Sequence, residues 1–315
     1  MKTIATAFLF TTLVAACGDD TTPDSPPTGD PSIVELASDT PELATLVAAV
    51  QFASDNNDLV NLLDGPGTFT VFAPTNAAFD ALAVELTGSA SAKGADLLTA
   101  ANKPLLRTVL RYHVLATEVR AAQIPFGQPI TSAEGSIFKI ETGSPPTITD
   151  GRNRSSKITA TDIDASNGIV HVVDKVILPS DKNIVQLAQA TPNLSILVEA
   201  VLAADLAATL SGAGPFTVFA PTNDAFAALL AELGVTKDQL LANKALLTRV
   251  LTYHVIPSRV LKAQVPVGAP ITTVETGTFT VNASLAIADE RGRSSAIVAT
   301  DVFGTNGVVH VIDKV

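Results

Sequence analysis

The residues best suited to chemistry are few and come in equivalent pairs. Four histidines, His113, His171, His254 and His310, are all that the chain offers, and its single cysteine is Cys17. His171 with Asp174, and His310 with Asp313, resemble acid–base dyads in spacing, but side chains three apart on a strand point to opposite faces. No histidine has a second histidine or a thiol beside it, so zinc or another transition metal finds no ligand set, and no metal or cofactor is expected. No G-x-S-x-G elbow, phosphate loop or H-E-x-x-H run occurs, and catalysis therefore has no local signature. Two basic pairs remain, Arg152 with Arg154 and Arg291 with Arg293, which would share a face on an extended segment. Guanidinium forks suit an anionic glycan or lipid headgroup. The simpler reading pairs them with Asp150 and Asp289 on a solvated face. Stacking platforms for sugars are scarce, since the chain has no Trp and two Tyr, although Phe126 or Phe303 could serve.

The elements that must position these groups occur twice. FTVFAPTNAAF at residues 69–79 returns as FTVFAPTNDAF at residues 216–226, identical at ten of eleven positions, so two copies of one unit are expected. Each copy reads as a β-favouring run stopped by Pro74 or Pro221, a Thr or Asn cap, and a helix. The apolar stripe of that helix is Phe79, Leu82 and Leu86 in one copy, and Phe226, Leu229, Leu230 and Leu233 in the other. A second helix begins near Asn102 and near Asn243 and runs to Tyr112-His113 and Tyr253-His254. Residues 150–176 then align with residues 289–315 without a gap, and Asn167-Gly168 and Asn306-Gly307 read as hairpin turns. Equivalent residues lie 151 apart at Thr40 and Thr191 but 139 apart at His171 and His310, so the first copy has the longer connections. Its largest extra piece falls at residues 87–94, of loop composition.

Outside the repeats, residues 1–16 read as a signal peptide: Lys2, then an apolar run through Phe8 and Leu13 too short to span a bilayer. Val14-Ala15-Ala16-Cys17 resembles a bacterial lipobox, which makes Cys17 the expected site of lipidation and gives a lone cysteine its purpose. Gly18 after the cysteine resembles an outer-membrane sorting signal. Residues 17–31 are acidic, rich in Pro and Thr and without an apolar residue after Cys17, as in a disordered tether. The formal charge of −11 argues against nucleic acid as a partner. The sequons at Asn153, Asn193 and Asn282 are taken as accidental.

FTVFAPTN, the mid-domain Tyr-His and the closing NGIVHVVDKVILP or NGVVHVIDKV, in that order and twice, resemble the fasciclin domain family. The resemblance implies an α+β architecture of two tandem fasciclin-like domains, residues 32–179 and 181–315, each a β-strand wedge with several packed helices. It also implies a non-catalytic module for cell adhesion or extracellular matrix contact, which the lipobox-like Val14–Cys17 and Gly18 would anchor by lipid to the cell envelope at the outer membrane. The partner would be a surface or matrix protein or polysaccharide. Tyr112-His113 and Tyr253-His254 match a position linked to receptor contact in animal fasciclin proteins, which makes them candidate binding residues; otherwise they end a buried helix and hydrogen-bond in the core. A carrier of an apolar small molecule such as a pigment or lipid, and an envelope enzyme, are the alternatives. The second copy stops at Lys314-Val315, where the first continues into Ile177, Leu178 and Pro179, so its last strand should be less anchored.

Overall fold

A computed structural model describes residues 29–315, and Cys17, the signal peptide and most of the expected tether lie outside the described residues. The first domain opens on helix α1 (Ile33–Asp39), where Ser32 and Glu35 form a reciprocal capping box. A 3-10 turn at Pro41–Leu43 leads into α2 (Ala44–Ala53), followed by α3 (Asp58–Asp64). Strand β1 (Phe69–Pro74) runs into α4 (Asn76–Thr87), and α5 (Lys103–Tyr112) follows. Six further strands complete the domain: β2 (Val114–Leu115), β3 (Ile130–Thr131), β4 (Ile137–Glu141), β5 (Thr147–Thr149), β6 (Ser155–Ala165) and β7 (Gly168–Val173).

The seven strands form one sheet in the order β2-β1-β7-β6-β5-β4-β3, with β1 and β7 parallel and the other pairs antiparallel. β1 is buried on both faces. Its alternation sends Val71 and Ala73 into a core with Phe79, Leu82 and Val109, and Phe72 into a second core with Tyr112, Phe138 and Ile148. Thr75 caps α4 by accepting a hydrogen bond from the Ala78 N–H at 3.2 Å. The expected stripe on α4 ends one turn early, because Leu86 is exposed while Phe79 and Leu82 are buried. Residues 87–94 are not a free loop: the Asp80 carboxylate accepts from the Gly94 N–H at 2.7 Å and draws Ala92 and Leu97 under cover.

The hairpin between β6 and β7 turns on Ser166 and Asn167, with Ala165 opposite Gly168, one residue earlier than the sequence suggests. The Asn167 side chain accepts from the Ile33 N–H and donates to the carbonyls of Leu63 and Gly65, tying the hairpin to α1 and α3. Gly168 has φ +151°, and a Cβ there would lie 2.1 Å from the Phe69 carbonyl oxygen. The parallel β1–β7 pairing therefore requires glycine.

The second domain repeats this plan. Helices α6 (Ile184–Gln189), α7 (Ser195–Ala203) and α8 (Ala207–Leu210) precede β8 (Phe216–Pro221); α9 (Asn223–Leu233), α10 (Lys237–Ala242) and α11 (Lys244–Tyr253) follow it. Strands β9 (Val255–Ile256), β10 (Pro270–Thr272), β11 (Thr278–Val281), β12 (Ala286–Asp289), β13 (Ser294–Gly304) and β14 (Gly307–Ile312) complete a sheet of order β10-β11-β12-β13-β14-β8-β9. Asn306 ties its hairpin to Ile184, Leu210 and Gly212 as Asn167 does in the first domain.

The domains meet along a built contact. The buried Lys139 ammonium donates to Asp301 Oδ2 at 2.8 Å and lies 2.6 Å from Glu141 Oε1. Burial pushes that ammonium down, but the two carboxylates more than offset this and hold it above the usual lysine range. Asn153 accepts from the Phe303 N–H at 2.6 Å and donates to the Phe303 carbonyl at 3.2 Å, and Ile137 packs on Leu261, Phe303 and Val308. Phe303 is thus buried between domains and not a stacking platform, whereas Phe126 is exposed.

Candidate functional site

All four histidines hold the framework together. His171 Nδ1 accepts from the Asp162 N–H at a strand irregularity in β6, and Nε2 donates to the Val119 carbonyl at 2.9 Å; His310 does the same with Asp301 and Val260. These contacts require neutral rings carrying the proton on Nε2. Neither histidine meets the aspartate three residues on: Asp174 accepts from the Lys157 N–H, and Asp313 from the Ala296 N–H. Among the described residues no group of three His, Cys, Asp or Glu side chains comes together to hold a metal.

Tyr112 and His113 are core residues, 0% and 1% exposed, and present no binding surface. Tyr112 Oη donates to the Ile137 carbonyl and accepts from the Gly151 N–H. His113 Nδ1 donates to the Val109 carbonyl at 2.7 Å, and Nε2 accepts from the Ile177 N–H at 3.0 Å. Burial lowers the pKa of His113 to about 4 and raises that of Tyr112 well above its ordinary value, so both stay neutral.

Arg152 and Arg154 are likewise engaged. Asp150, buried beneath them, accepts from the N–H groups of Arg152, Arg154 and Leu178 and from the Arg154 guanidinium at 2.8 Å. Arg154 also reaches Glu85 and the Val176 carbonyl, and Arg152 reaches Asp181. This arginine pair clamps the closing segment, residues 176–179, onto the domain. Ile177 enters the core beside Tyr112, and Leu178 packs with Leu82, Leu106 and Val109, leaving a residual space of about 10 Å³.

Among the described residues, which end at Val315 before any counterpart of residues 177–179, the same place in the second domain is a groove of about 710 Å³. Leu229, Leu233, Leu246, Leu247 and Val250, equivalent to the residues around Leu178, form its apolar floor. Arg249, Arg291, Arg293 and Lys314 stand at its mouth with Glu232, Glu275, Asp289 and Glu290. Tyr253 and His254 are partly exposed, and Arg291 and Arg293 are exposed. His254 Nδ1 donates to the Val250 carbonyl, whereas Nε2 has no hydrogen-bond partner among the described residues. Asp289 accepts from the N–H groups of Arg291 and Arg293 and from Arg293 Nε at 2.9 Å. Burial pushes the Asp289 carboxyl up, but these donors outweigh it and hold the pKa below the usual value. Of the candidate pairs, the second domain's four residues line one groove; in the first, Tyr112 and His113 are buried in the core and Arg152 and Arg154, partly exposed, are engaged by Asp150, Asp181, Glu85 and the Val176 carbonyl. The groove was not legible by spacing, because its absence from the first domain depends on contacts made by residues 177–179 far from the helices they cover.

The fasciclin domain profile matches residues 41–179 and 192–315. The chain belongs to the fasciclin domain family. Fasciclin relatives include transforming growth factor-beta-induced protein ig-h3 of Sus scrofa, 32% identical over 253 residues, covering 80% of this chain and 35% of that protein. Protein sll1483 of Synechocystis is 44% identical over 146 residues, covering 46% of this chain and 78% of its own length. The chain therefore spans about a third of the length of the mammalian relative. A solved fasciclin domain pair from the insect cell adhesion molecule Fasciclin I aligns over 87% of this chain and 96% of its own, with 16% identity and a TM-score of 0.42.

Proposed function

We infer that the chain is a non-catalytic adhesion or matrix-binding module held outside the cytoplasm by lipid on Cys17. The observation that carries this reading is the use of the repeated polar residues. The four histidines and the first domain's arginines are consumed by the framework. That distribution suits recognition by contact rather than proton transfer. Membership of the fasciclin family supports it, since adhesion and matrix contact are what the family resemblance implies. No helix among the described residues is long and apolar enough to cross a membrane; attachment is assigned to the lipid, and the outer membrane is the proposed location. The partner is a surface or matrix protein or polysaccharide.

Deleting the gene and measuring attachment to surfaces and to neighbouring cells tests the module, with loss of attachment expected and unchanged attachment counting against it. Restoring the gene with Cys17→Ser should leave an unprocessed precursor without acyl label; normal processing and labelling would overturn the anchor.

One observation favours a second reading, a carrier of an apolar small molecule. The first domain holds a cavity of about 440 Å³ lined by Ile33, Leu46, Val50, Leu59, Leu63 and Val170, a size suited to a small ligand. Mass analysis of extracts from protein purified from its own cells would detect the cargo, and consistently empty protein would remove this reading.

A further inference from the structure

We propose that the first domain's cavity takes an aliphatic monocarboxylate, a single-chain fatty acid, with its chain among the apolar walls and its carboxylate on Arg111. This names the cargo of the carrier reading, on which it rests. The two domains hold the same cavity at different sizes. Val50, Leu63 and Val170 line it in the first domain and their equivalents Val201, Leu210 and Val309 in the second, yet it measures about 440 Å³ in one and about 40 Å³ in the other. The chain that follows α2 makes the difference. Residues 54–62 stand between Ala53 and Leu63, where the second domain has only residues 205–209 between Ala204 and Leu210. Asn56 and Asn57 turn this longer connection at left-handed φ of +52° and +59° into α3, whose Leu59, Val60 and Leu62 add wall that α8 does not supply. Ion pairs hold the added wall in place: Asp55 meets Lys103 at 2.8 Å and Arg107 at 3.1 Å, and Asp58 meets Arg107. Both cations stand on α5, whose last turn carries Arg111.

Arg111 is the only charged residue lining the cavity, and the equivalent position in the second domain is Thr252. Its guanidinium is partly buried and donates from Nη2 to the Ala133 carbonyl at 3.2 Å. It forms no ion pair among the described residues, in a chain where 31 acidic residues outnumber 20 basic ones and carboxylates are in excess. A partly desolvated cation beside an apolar space is stabilised by an anion that enters with it. A neutral apolar cargo would fill the walls and leave the arginine unpaired. A sugar phosphate would pair with the arginine and meet walls of valine and leucine. An aliphatic monocarboxylate satisfies both, since its two oxygens match the guanidinium fork. A volume of about 440 Å³ lies toward the small end of ligand pockets, which fits one aliphatic chain rather than a two-chain lipid.

The test titrates the purified protein, stripped of non-covalent lipid, with decanoate and with decanol by calorimetry. Saturable one-to-one binding of decanoate is expected, with decanol weaker by at least about tenfold, as loss of a charged hydrogen-bonded pair implies. Arg111→Thr, the residue of the second domain, should bring decanoate down to the affinity of decanol, with folding checked by circular dichroism. Arg111→Lys, which keeps the charge, should retain part of the preference. Equal affinity for the two ligands in the unaltered protein, or undiminished decanoate binding in Arg111→Thr, overturns the recognition of a carboxylate while leaving a carrier of apolar molecules in place. Extracts from the cells' own protein that hold only neutral lipid have the same meaning. If neither decanoate nor decanol binds, the cavity is not a ligand site and the carrier reading falls with the fatty acid.

Discussion

Asp150 and Asp289 sit at the same place in the same repeated motif and have different jobs. Asp150 is 2% exposed and collects five donors from two stretches of chain, including one from the closing segment. Asp289 is 15% exposed and collects three, all from Arg291 and Arg293 beside it. The carboxylate is unchanged; what differs among the described residues is the Leu178 N–H, which Asp150 accepts together with two nitrogens of the Arg154 guanidinium, against one from Arg293 on Asp289.

The sharpest way to break this comparison is to remove each carboxylate in turn. Asp150→Ala leaves the Arg154 guanidinium and the Leu178 N–H without their buried acceptor, and should cost about 4 kcal/mol of first-domain stability. Asp289→Ala removes a partly exposed local turn contact and should cost about 1 kcal/mol in the second domain. Urea unfolding followed by tyrosine fluorescence separates the two, because Tyr112 and Tyr253 are the only tyrosines and each domain holds one. Equal losses would mean that the closing segment adds nothing at Asp150.

The next largest effect concerns acid. His113 is neutral in the folded domain, with its pKa lowered to about 4 from an ordinary 6.5. The unfolded chain therefore binds the proton first. Stability from this group is fully present above pH 6.5, declines as pH falls from 6.5 to 4, and amounts to roughly 3 kcal/mol when lost. His254 and His310 are shifted in the same direction by burial, so the second domain weakens over the same side of neutrality. Urea midpoints measured from pH 7 to 4 should fall in both domains. A flat first-domain profile would show that His113 is protonated in place.

The interface between domains gives a smaller effect. Asn153 has φ +63°, and the equivalent second-domain residue is Gly292 with φ +75°. Asn153→Gly keeps that backbone shape while deleting both hydrogen bonds to Phe303, and should weaken the domain contact by about 2 kcal/mol. Limited proteolysis at residues 180–183 should then speed up, with each domain's own unfolding midpoint nearly unchanged. Unaltered cleavage would leave Lys139 and Asp301 as the pair that joins the domains.

The repeated framework was legible because it depends on local rules. A β-favouring run, a proline stop and a threonine cap announce β1–α4 and β8–α9 without reference to anything distant, and the Tyr-His helix ends fall where the apolar spacing stops. Tyr112 and His113, candidate binding residues by their motif, are buried, and Arg154 and Arg293 pair with their aspartates, the simpler of the two readings their position allowed. The shift of the hairpin turn to Ser166-Asn167 was not legible, because Asn167 is committed to carbonyls more than a hundred residues away. Leu86 and Leu233 fit the helical stripe yet stay exposed, since periodicity names a face but not how far along the helix its cover extends.

The finest contrast lies inside the repeated stretch itself, at its one difference. Ala77 in the first copy is Asp224 in the second, in the first turn of α9. Thr75 and Thr222 cap their helices through the same 3.2 Å hydrogen bond, so Thr75→Ala should cost about 1 kcal/mol. Asp224 adds a negative charge near the unpaired N–H groups of α9, a contribution of about 0.5 kcal/mol that salt screens. Thr222→Ala should therefore cost slightly less at low salt than Thr75→Ala, because Asp224 still compensates the helix end, and the gap should close as sodium chloride is raised. Introducing Ala77→Asp in the first domain should confer the same salt-sensitive gain. If the gap is unaffected by salt, Asp224 does not act through the helix end, and the two copies differ at this point in sequence only.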